Sequence, residues 1–154
     1  MPKEIERKFL VDPVKLPTLE SPYNIVQGYL PGCSSATVRV RIRNKTAFLT
    51  LKGRTKGLTR SEFEYPIPLS DAEHILSELC SGTLIEKKRY HLSYEGHLWE
   101  IDIFEGENRG LIIAEIELKD ESEPFSVPPW ITKEVSYDPR YHNSNLLKNA
   151  YRNW

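Results

Sequence analysis

Charged and apolar residues alternate with a period of two along most of this 154-residue chain. In the stretch TVRVRIR at residues 37–43, every second residue is an arginine and the residues between are Val or Ile. The opening stretch EIERKF at 4–9 likewise places two glutamates and a lysine on one face. Because successive side chains of a β-strand point to opposite faces, the pattern predicts strands with one apolar and one charged face.

Eight segments show this alternation, and short turns such as Asn44-Lys45 and Glu95-Gly96 join many of them. The predicted strands are 5–11, 23–30, 37–43, 47–53, 60–67, 84–94, 97–105 and 111–119. Short turns favour antiparallel neighbours. Since open sheet edges are a liability, the strands are expected to form a closed eight-stranded antiparallel β-barrel, a mainly β (α+β) fold with few helices.

Two helices are predicted outside the strands. The segment SDAEHILSEL at 70–79 has an apolar stripe, with Ser70 and Glu73 as a capping box at its start. The segment NSNLLKNAYRNW at 143–154 predicts a short C-terminal helix, which either covers one end of the barrel or packs outside it. Four prolines between residues 120 and 141 predict irregular structure there.

Composition narrows the class of protein. The 21 Lys and Arg nearly balance the 22 Asp and Glu, so bulk charge gives no reason to expect a nucleic acid or an anionic membrane as partner. No apolar run approaches the roughly 20 residues that span a bilayer, so we expect a cytoplasmic protein with one domain, residues 1–154. Cys33 and Cys80 are expected to be free thiols, with a single disulfide as the alternative.

The charged face allows two interpretations. It can face water around an apolar barrel interior, as in a lipid carrier, or it can line the interior itself. The face carries like-charged pairs: Glu4/Glu6, Glu62/Glu64, Glu115/Glu117, Arg39/Arg41 and Lys87/Arg89. Adjacent like charges repel and need a partner; acidic pairs suit hard divalent cations, and arginine pairs suit phosphates. This favours a charged tunnel, and the apolar exterior then predicts a homodimer, since few helices are available to cover it.

The stretch EIERKFLV at 4–11 resembles the ExExK signature of the CYTH superfamily, the triphosphate tunnel metalloenzymes. Further segments match in the order that the family shows. They are GYL at 28–30, VRVRIR, LTLKG, RSEFEYPI, KKRY, WEIDIFEG, AEIELK and the tail PPWITKEVSYDPRYHNSNL. The resemblance therefore covers nearly the whole chain.

This resemblance implies a tunnel of eight antiparallel strands that binds a triphosphate and a divalent metal, Mg²⁺ or Mn²⁺. Without an appended helical domain, the chain is most similar to the compact bacterial inorganic tripolyphosphatases. The implied reaction is hydrolysis of inorganic tripolyphosphate, a small-molecule substrate, to pyrophosphate and phosphate. The alternatives on the same site are a nucleoside triphosphatase, a thiamine triphosphatase and a class IV adenylyl cyclase. A polyphosphate-binding protein is the alternative that is not an enzyme.

The resemblance also implies roles for particular residues. The implied metal ligands are Glu4, Glu6, Glu115 and Glu117, for which a solvated acidic patch is the alternative. The implied phosphate clamp consists of Lys8, Arg39, Arg41, Lys52, Lys87 and Arg89. Any of these cations can instead pair structurally with Glu62, Glu64 or Asp102.

Catalytic roles are expected for five residues. They are Glu4, Glu6, Lys8, Tyr29 and Asp102. A pair of Lys8 and Tyr29 would move a proton, although a packed tyrosine is the alternative, and Asp102 would order a metal-bound water. Glu62 and Glu64 would support the metal water or orient an arginine. Arg43, at a strand end, is expected to be structural.

Overall fold

The computed structural model describes residues 3–32, 35–80, 82 and 84–154. The strands are β1 (Lys3–Val11), β2 (Tyr23–Leu30), β3 (Ala36–Arg43), β4 (Thr46–Gly53), β5 (Thr59–Ile67), β6 (Ile85–Tyr94), β7 (His97–Phe104), β8 (Ile112–Glu117) and β9 (Ile131–Glu134). The α-helices are α1 (Leu69–Glu78) and α2 (Asn143–Leu146). Short 3-10 turns occupy Pro13–Lys15, Gly106–Asn108, Pro139–Tyr141 and Tyr151–Asn153.

The strands close into a barrel through β1, which pairs with two different neighbours. The order of the sheet is β5-β4-β3-β2-β6-β7-β8-β1-β9, and a further pairing joins β5 to β1. The start of β1 pairs with β5, from Lys3 opposite Ser61, and its later part pairs with β8. All of these pairings are antiparallel. The predicted closed eight-stranded barrel is confirmed, with β9 as an additional edge strand.

The charged face lines the interior of this barrel. Arg39, Lys87 and Glu115 face a central cavity, whereas their neighbours on the apolar face, such as Val40 and Ala114, belong to hydrophobic clusters outside it. The alternative of an apolar interior, as in a lipid carrier, is wrong. Burial of charged side chains is tolerable here because many of them, such as Arg39, Lys87 and Glu115, form ion pairs inside a polar cavity.

Three coverings bury the apolar exterior. Helix α1 covers one cluster with Ala72 and Leu76, and the C-terminal tail covers a second one with Tyr141 and Leu146. The third lies under the segment that follows β8, where Trp130 packs edge-on against Trp99 with ring centroids 5.4 Å apart. The chain itself thus covers much of the apolar exterior that a homodimer was expected to bury. The homodimer stays a prediction, but the need to cover this surface no longer supports it.

Strand β2 approaches α1 closely at Gly28. A Cβ atom at this position would lie 2.9 Å from side-chain atoms of Leu76, Cys80 and Leu84. Real Cβ atoms essentially never come so near, so only glycine allows the helix to pack at this distance.

Residues 120–141 are mostly irregular, as predicted, but they contain one strand that was not predicted, β9. Its four residues pair with β1, and Arg7 binds Glu134 through both Nε, at 2.8 Å, and Nη2. The backbone NH of Val135 continues the contact by donating to the carbonyl of Lys8 at 2.8 Å. A segment of four residues is too short to show a recognisable alternation of polar and apolar side chains. Pairing with β1 therefore determines that β9 forms.

Both helices depart from the prediction. Helix α1 begins after Pro68 without a side-chain cap, so the predicted capping box of Ser70 and Glu73 is wrong. Proline supplies a fixed φ at the helix start, and Ser70 lies within the first turn. The predicted C-terminal helix is reduced to the four residues of α2, a turn and a 3-10 turn at the end of the chain.

Within the described residues, no helix is both long and apolar enough to cross a membrane. The cytoplasmic location stays a prediction. Cys80 is a free, half-buried thiol, and Cys33 lies outside the described residues, so the prediction for the pair is untested.

Candidate active site

The interior of the barrel contains a cavity of about 240 Å³. In the described part of the chain, its lining includes eight basic side chains: Lys8, Arg39, Arg41, Arg43, Lys52, Arg60, Lys87 and Arg89. Seven glutamates share the lining: Glu4, Glu6, Glu62, Glu64, Glu100, Glu115 and Glu117. Every predicted site residue lines the cavity except Asp102, which lies behind it.

Strand order divides this lining into two walls. Neighbouring strands β8, β1 and β5 carry the predicted glutamates, which we call the acidic wall. Strand β3 carries Arg39 and Arg41, and strand β6 carries Lys87 and Arg89; together with β2, which lies between them, they form what we call the basic wall. In the closed barrel the two walls face each other, so the cavity is polarised from one side to the other.

The first and last barrel strands bring Glu6, Lys8 and Glu115 together. Lys8 lies opposite Glu115 in the register, and its Nζ is 3.2 Å from Glu115 and 3.7 Å from Glu6. Burial, and then the charge of Glu115, raise the pKa of Glu6 to about 8. Burial opposes ionisation of Glu115 too, but Lys8 and Arg89 hold its pKa well below the usual range. The pair therefore tends to retain one proton, on Glu6.

Glu4, Lys52 and Glu62 form a second group where β1 meets β5. The Lys52 Nζ contacts Glu4 at 2.9 Å and Glu62 at 3.2 Å, and Arg60 also reaches Glu4 at 3.4 Å. Burial alone would raise the pKa of Glu4, but a hydrogen bond shared with Glu62 and the charge of Lys52 lower it to about 2. Burial and the neighbouring Glu4 raise the pKa of Glu62 to about 7.

The acidic wall has the chemistry of a hard-metal site but not a preformed geometry. Among the described residues, no three His, Cys, Asp or Glu side chains are arranged to hold a metal ion. Lys8 and Lys52 occupy the positions between the carboxylates. The donors are all oxygen, as Mg²⁺ and Mn²⁺ prefer, and the raised pKa values of Glu6 and Glu117 reflect burial and an excess of nearby negative charge. These residues therefore fit a divalent cation once the lysines move away.

The basic wall holds arginines with unused donors. Arg39 is 5% exposed; its Nη2 contacts Thr50 at 3.2 Å and Glu64 at 3.4 Å, but its buried Nε has no partner. Arg41 donates from Nε to Gln27 Oε1 at 2.7 Å. Burial, with Arg39 and Arg89 nearby, lowers the pKa of Arg41 to about 9. A buried donor without a partner is costly, and a phosphate oxygen would satisfy it.

Asp102 anchors the second half of the basic wall. It is fully buried and pairs across the strands with Arg89, whose Nε and Nη2 donate at 2.7 and 2.9 Å. The Lys87 Nζ lies 2.7 Å from the same carboxylate. Asp102 thus lies outside the lining and is the partner of two cations that belong to it. Its predicted task of ordering a metal-bound water stays a prediction that these contacts do not favour.

Tyr29 and Arg43 both contact neighbouring side chains of the barrel. The Tyr29 hydroxyl lies 3.0 Å from Gln27 Nε2, and no contact with Lys8 is found among the described residues. The predicted pairing of Tyr29 with Lys8 is thus absent here, although both line the cavity. Arg43 stacks over Tyr23 and Phe48, 5.2 Å from each ring centroid, in keeping with the structural role expected for it.

Several lining residues were not predicted. Glu100, on the face of Asp102 on β7, is one of them, and the two-residue period was a usable signal for it. Gln27 is fully buried behind the lining on the face of Tyr29 on β2, and the same period marks it. His142 and Asn143, in contrast, reach the cavity from the tail, where no periodicity marks them. Burial, and then Lys8 and Arg60, lower the pKa of His142 to about 4, which keeps its imidazole neutral at pH 7.

Comparison with known proteins identifies close relatives. A family model for the CYTH domain matches residues 2–151. An inorganic triphosphatase of Acetivibrio thermocellus is 49% identical over 154 residues, covering 100% of this chain and 99% of that protein. One of Nitrosomonas europaea is 37% identical over 147 residues, covering 93% and 95%. A crystal structure of an inorganic triphosphatase superposes with a TM-score of 0.67 at 34% identity, covering 93% of this chain and 96% of that one.

Proposed function

The chain belongs to the CYTH domain family, and we propose that it is a metal-dependent hydrolase that cleaves inorganic tripolyphosphate to pyrophosphate and phosphate. The observation that carries this proposal is the polarised cavity, in which a wall of arginine and lysine faces a wall of glutamate. A polyanion bound with a divalent cation has the complementary distribution of charge. The names of the two curated relatives point to the same substrate class.

The basic wall would bind the phosphate chain. Arg39 offers its unpartnered Nε, and Arg41 has both Nη groups available beyond its single hydrogen bond to Gln27 among the described residues. Guanidinium groups bind phosphate oxygens in a bidentate way, and in a buried cavity these bonds are strong. Lys87 and Arg89, held by Asp102, complete this wall, while Lys8 and Lys52 would leave the glutamates for phosphate oxygens.

The acidic wall would hold Mg²⁺ or Mn²⁺. We assign this task to Glu4, Glu6, Glu115 and Glu117, with Glu62 and Glu64 in support. When bound, such a cation neutralises phosphate charge and activates water for attack. The glutamates orient the cation and accept protons, and the closed barrel wall restricts bulk water.

Hydrolysis forms a bond from the water oxygen to the terminal phosphorus and breaks the bridging phosphorus–oxygen bond. Pyrophosphate leaves with the electron pair of that bond, and a carboxylate oxygen of the acidic wall takes the proton from water. Charge moves onto the leaving oxygen, where the donors of the basic wall stabilise it. Tyr29 stands at this wall as a further hydrogen-bond donor.

The proposal is tested by phosphate release from tripolyphosphate, ATP and thiamine triphosphate, each with Mg²⁺, Mn²⁺ and EDTA. We expect turnover that requires metal and strongly favours tripolyphosphate. Comparable turnover of ATP would point to a nucleoside triphosphatase, and binding without turnover would point to a polyphosphate-binding protein.

Two variants test the assignment of the walls. Glu115→Gln keeps the shape of the side chain but removes a charge that the cation needs, so turnover should fall by roughly a hundredfold or more. Glu86→Gln, an exposed glutamate of β6 outside the cavity, is the matched control and should retain turnover. Equal activity of both variants would overturn the metal assignment.

A further inference from the structure

A fully buried neutral residue, Gln27, sits within the basic wall. It is 0% exposed and makes three hydrogen bonds to other side chains. Its Oε1 accepts from Arg41 at 2.7 Å, and its Nε2 donates to Tyr29 at 3.0 Å and to Asn143 Oδ1 at 3.3 Å. An uncharged amide adds no attraction for a polyanion, so its burial among cations calls for another role.

The orientations of the two amides are forced by their charged neighbours. Arginine can only donate, so Gln27 must present its oxygen to Arg41. Asn143 must then accept from the Gln27 amide through Oδ1, the same oxygen that lies 3.0 Å from the Lys87 Nζ. The Gln27 amide then has only its NH₂ group left for Tyr29 and Asn143. The direction of each hydrogen bond made by Gln27 therefore follows from Arg41, which can only donate.

This direction determines what Tyr29 can do. Its hydroxyl oxygen accepts from Gln27, so its own hydrogen must point elsewhere. Tyr29 lines the cavity, where a phosphate oxygen is the acceptor that our proposal supplies. Gln27 thereby makes Tyr29 a donor to the substrate.

At its other end, this series of hydrogen bonds reaches the C-terminal tail through Asn143. Asn143 begins α2, and Leu146, one turn later, is 1% exposed in the outer cluster that the tail covers. One short helix therefore has an apolar anchor outside the barrel and an amide inside it. The amide contacts Lys87, whose side chain is fully buried, so the position of the tail is linked to that of a cation in the basic wall.

We propose that Gln27 and Asn143 are positioning residues that link the C-terminal tail to the basic wall and hold Tyr29 and Lys87 in the orientations in which they meet a bound phosphate chain. This inference rests on the proposed function for its substrate. It assigns to the tail a part in the site in addition to its cover of the barrel exterior.

Kinetics on tripolyphosphate test the role of Asn143. Asn143→Ala removes one acceptor of Lys87 and leaves Asp102 as another; it should raise KM roughly tenfold, the loss expected for a hydrogen bond to a charged group. Asn143→Gln keeps a neutral amide as acceptor for Lys87 and Gln27, without adding a negative charge that would repel the phosphate chain, and should restore part of the loss. Asn145→Ala is the matched control and should leave KM unchanged, because the Asn145 side chain lies on the same helix but donates to the tail carbonyl of Pro139. Equal KM values for the Ala and Gln variants of Asn143 would overturn the inference.

A substitution of Gln27 separates binding from orientation. Gln27→Glu keeps the acceptor for Arg41 but loses the donor to Tyr29, so kcat should fall roughly tenfold with a smaller change in KM. Tyr29→Phe should lower kcat by a similar factor, and the double variant should be no worse than either single one. Additive losses would show that Gln27 does not act through Tyr29.

A double-mutant cycle on unfolding decides the link without turnover. Urea unfolding of Lys87→Met, Asn143→Ala and the double variant, free of ligand, should give a coupling of roughly fivefold in the unfolding equilibrium constant. Independent effects would overturn the link between tail and wall. If the cycle shows this coupling but the wild-type protein hydrolyses no triphosphate, the proposed function is refuted and the link between tail and wall remains.

Discussion

Individual cations of the cavity differ in how well the protein satisfies them. Lys8 and Lys52 are held between glutamates, and Asp102 holds Arg89 through two hydrogen bonds. Arg39 is the contrasting case, since its buried Nε has no partner among the described residues. The most useful variants at this scale are therefore those that separate a cation held by protein from one available to substrate.

Arg39→Ala should weaken tripolyphosphate binding by roughly tenfold to a hundredfold, since charge-assisted hydrogen bonds to phosphate are lost. KM and kcat measured on tripolyphosphate with saturating metal check this prediction. Arg43→Ala is the control, because Arg43 stacks on two aromatic rings and should change KM much less. A larger effect at Arg43 than at Arg39 would contradict the assignment of the clamp.

The low pKa of Lys87 predicts that the protein takes up protons when tripolyphosphate binds. Burial, together with Arg89 and Arg41, lowers its pKa to about 7 even though Asp102 opposes the shift. Above pH 7 the amine is thus mostly neutral in the free protein, and a bound polyanion raises its pKa again. Binding at pH 8 should take up protons, and the affinity should weaken as the pH rises.

Calorimetry at pH 8 in two buffers of different ionisation enthalpy measures this uptake. We expect Lys87→Met to take up fewer protons than the wild type when tripolyphosphate binds. The same uptake in both proteins would assign the protons to the ligand or to another group. EDTA in both titrations removes the contribution of metal binding.

At the scale of elements, the barrel needs an outer cover because its interior is polar. Trp130 comes from the segment that follows β8, is 2% exposed and packs against Trp99 on β7. In a usual domain this apolar surface would be the centre of the core. Here the covering segments must supply that packing from outside the sheet.

Trp130→Ala should lower the free energy of unfolding by about 3–5 kcal/mol, as is typical for a large aromatic side chain removed from a packed site. Urea unfolding followed by far-UV circular dichroism measures the change. Trp154→Ala is the matched control, since Trp154 is 39% exposed and should cost much less. Similar losses for both would mean that the segment after β8 is not a principal cover of the barrel.

At the scale of the whole molecule, closure of the barrel brings lysines and glutamates into ion pairs that bound ligands would replace. Strand β1 joins β8 to β5, so lysines and glutamates from distant parts of the chain neutralise one another in the free protein. A phosphate chain competes for the lysines, and a divalent cation competes for the glutamates. Binding of either ligand thus frees side chains that the other ligand needs.

Metal and a non-hydrolysable imidotriphosphate should therefore stabilise the protein cooperatively. We expect the rise in melting temperature with both ligands to exceed the sum of the rises with each alone. Thermal denaturation with Mg²⁺, with the analogue, with both and with EDTA tests this. The Glu115→Gln variant should lose the excess, and additive shifts in the wild type would contradict an exchange of ion pairs.

The strands, their inner and outer faces and most of the lining residues follow from the sequence by itself. A period of two is a local property, and it assigns Arg39, Lys87 and Glu115 to one face before any tertiary contact is known. Repetition of like-charged pairs further predicts that this face is enclosed, because adjacent like charges need counter-charges.

Only the tertiary structure decided how these faces are completed. Strand β9 exists because β1 offers it an edge and Arg7 binds Glu134, neither of which a four-residue segment can encode locally. Gln27 and Asn143 meet because the tail folds over one part of the barrel, at a sequence separation of 116 residues. Contacts between distant parts of the chain depend on closure of the sheet and on packing against it, and periodicity carries information about neither.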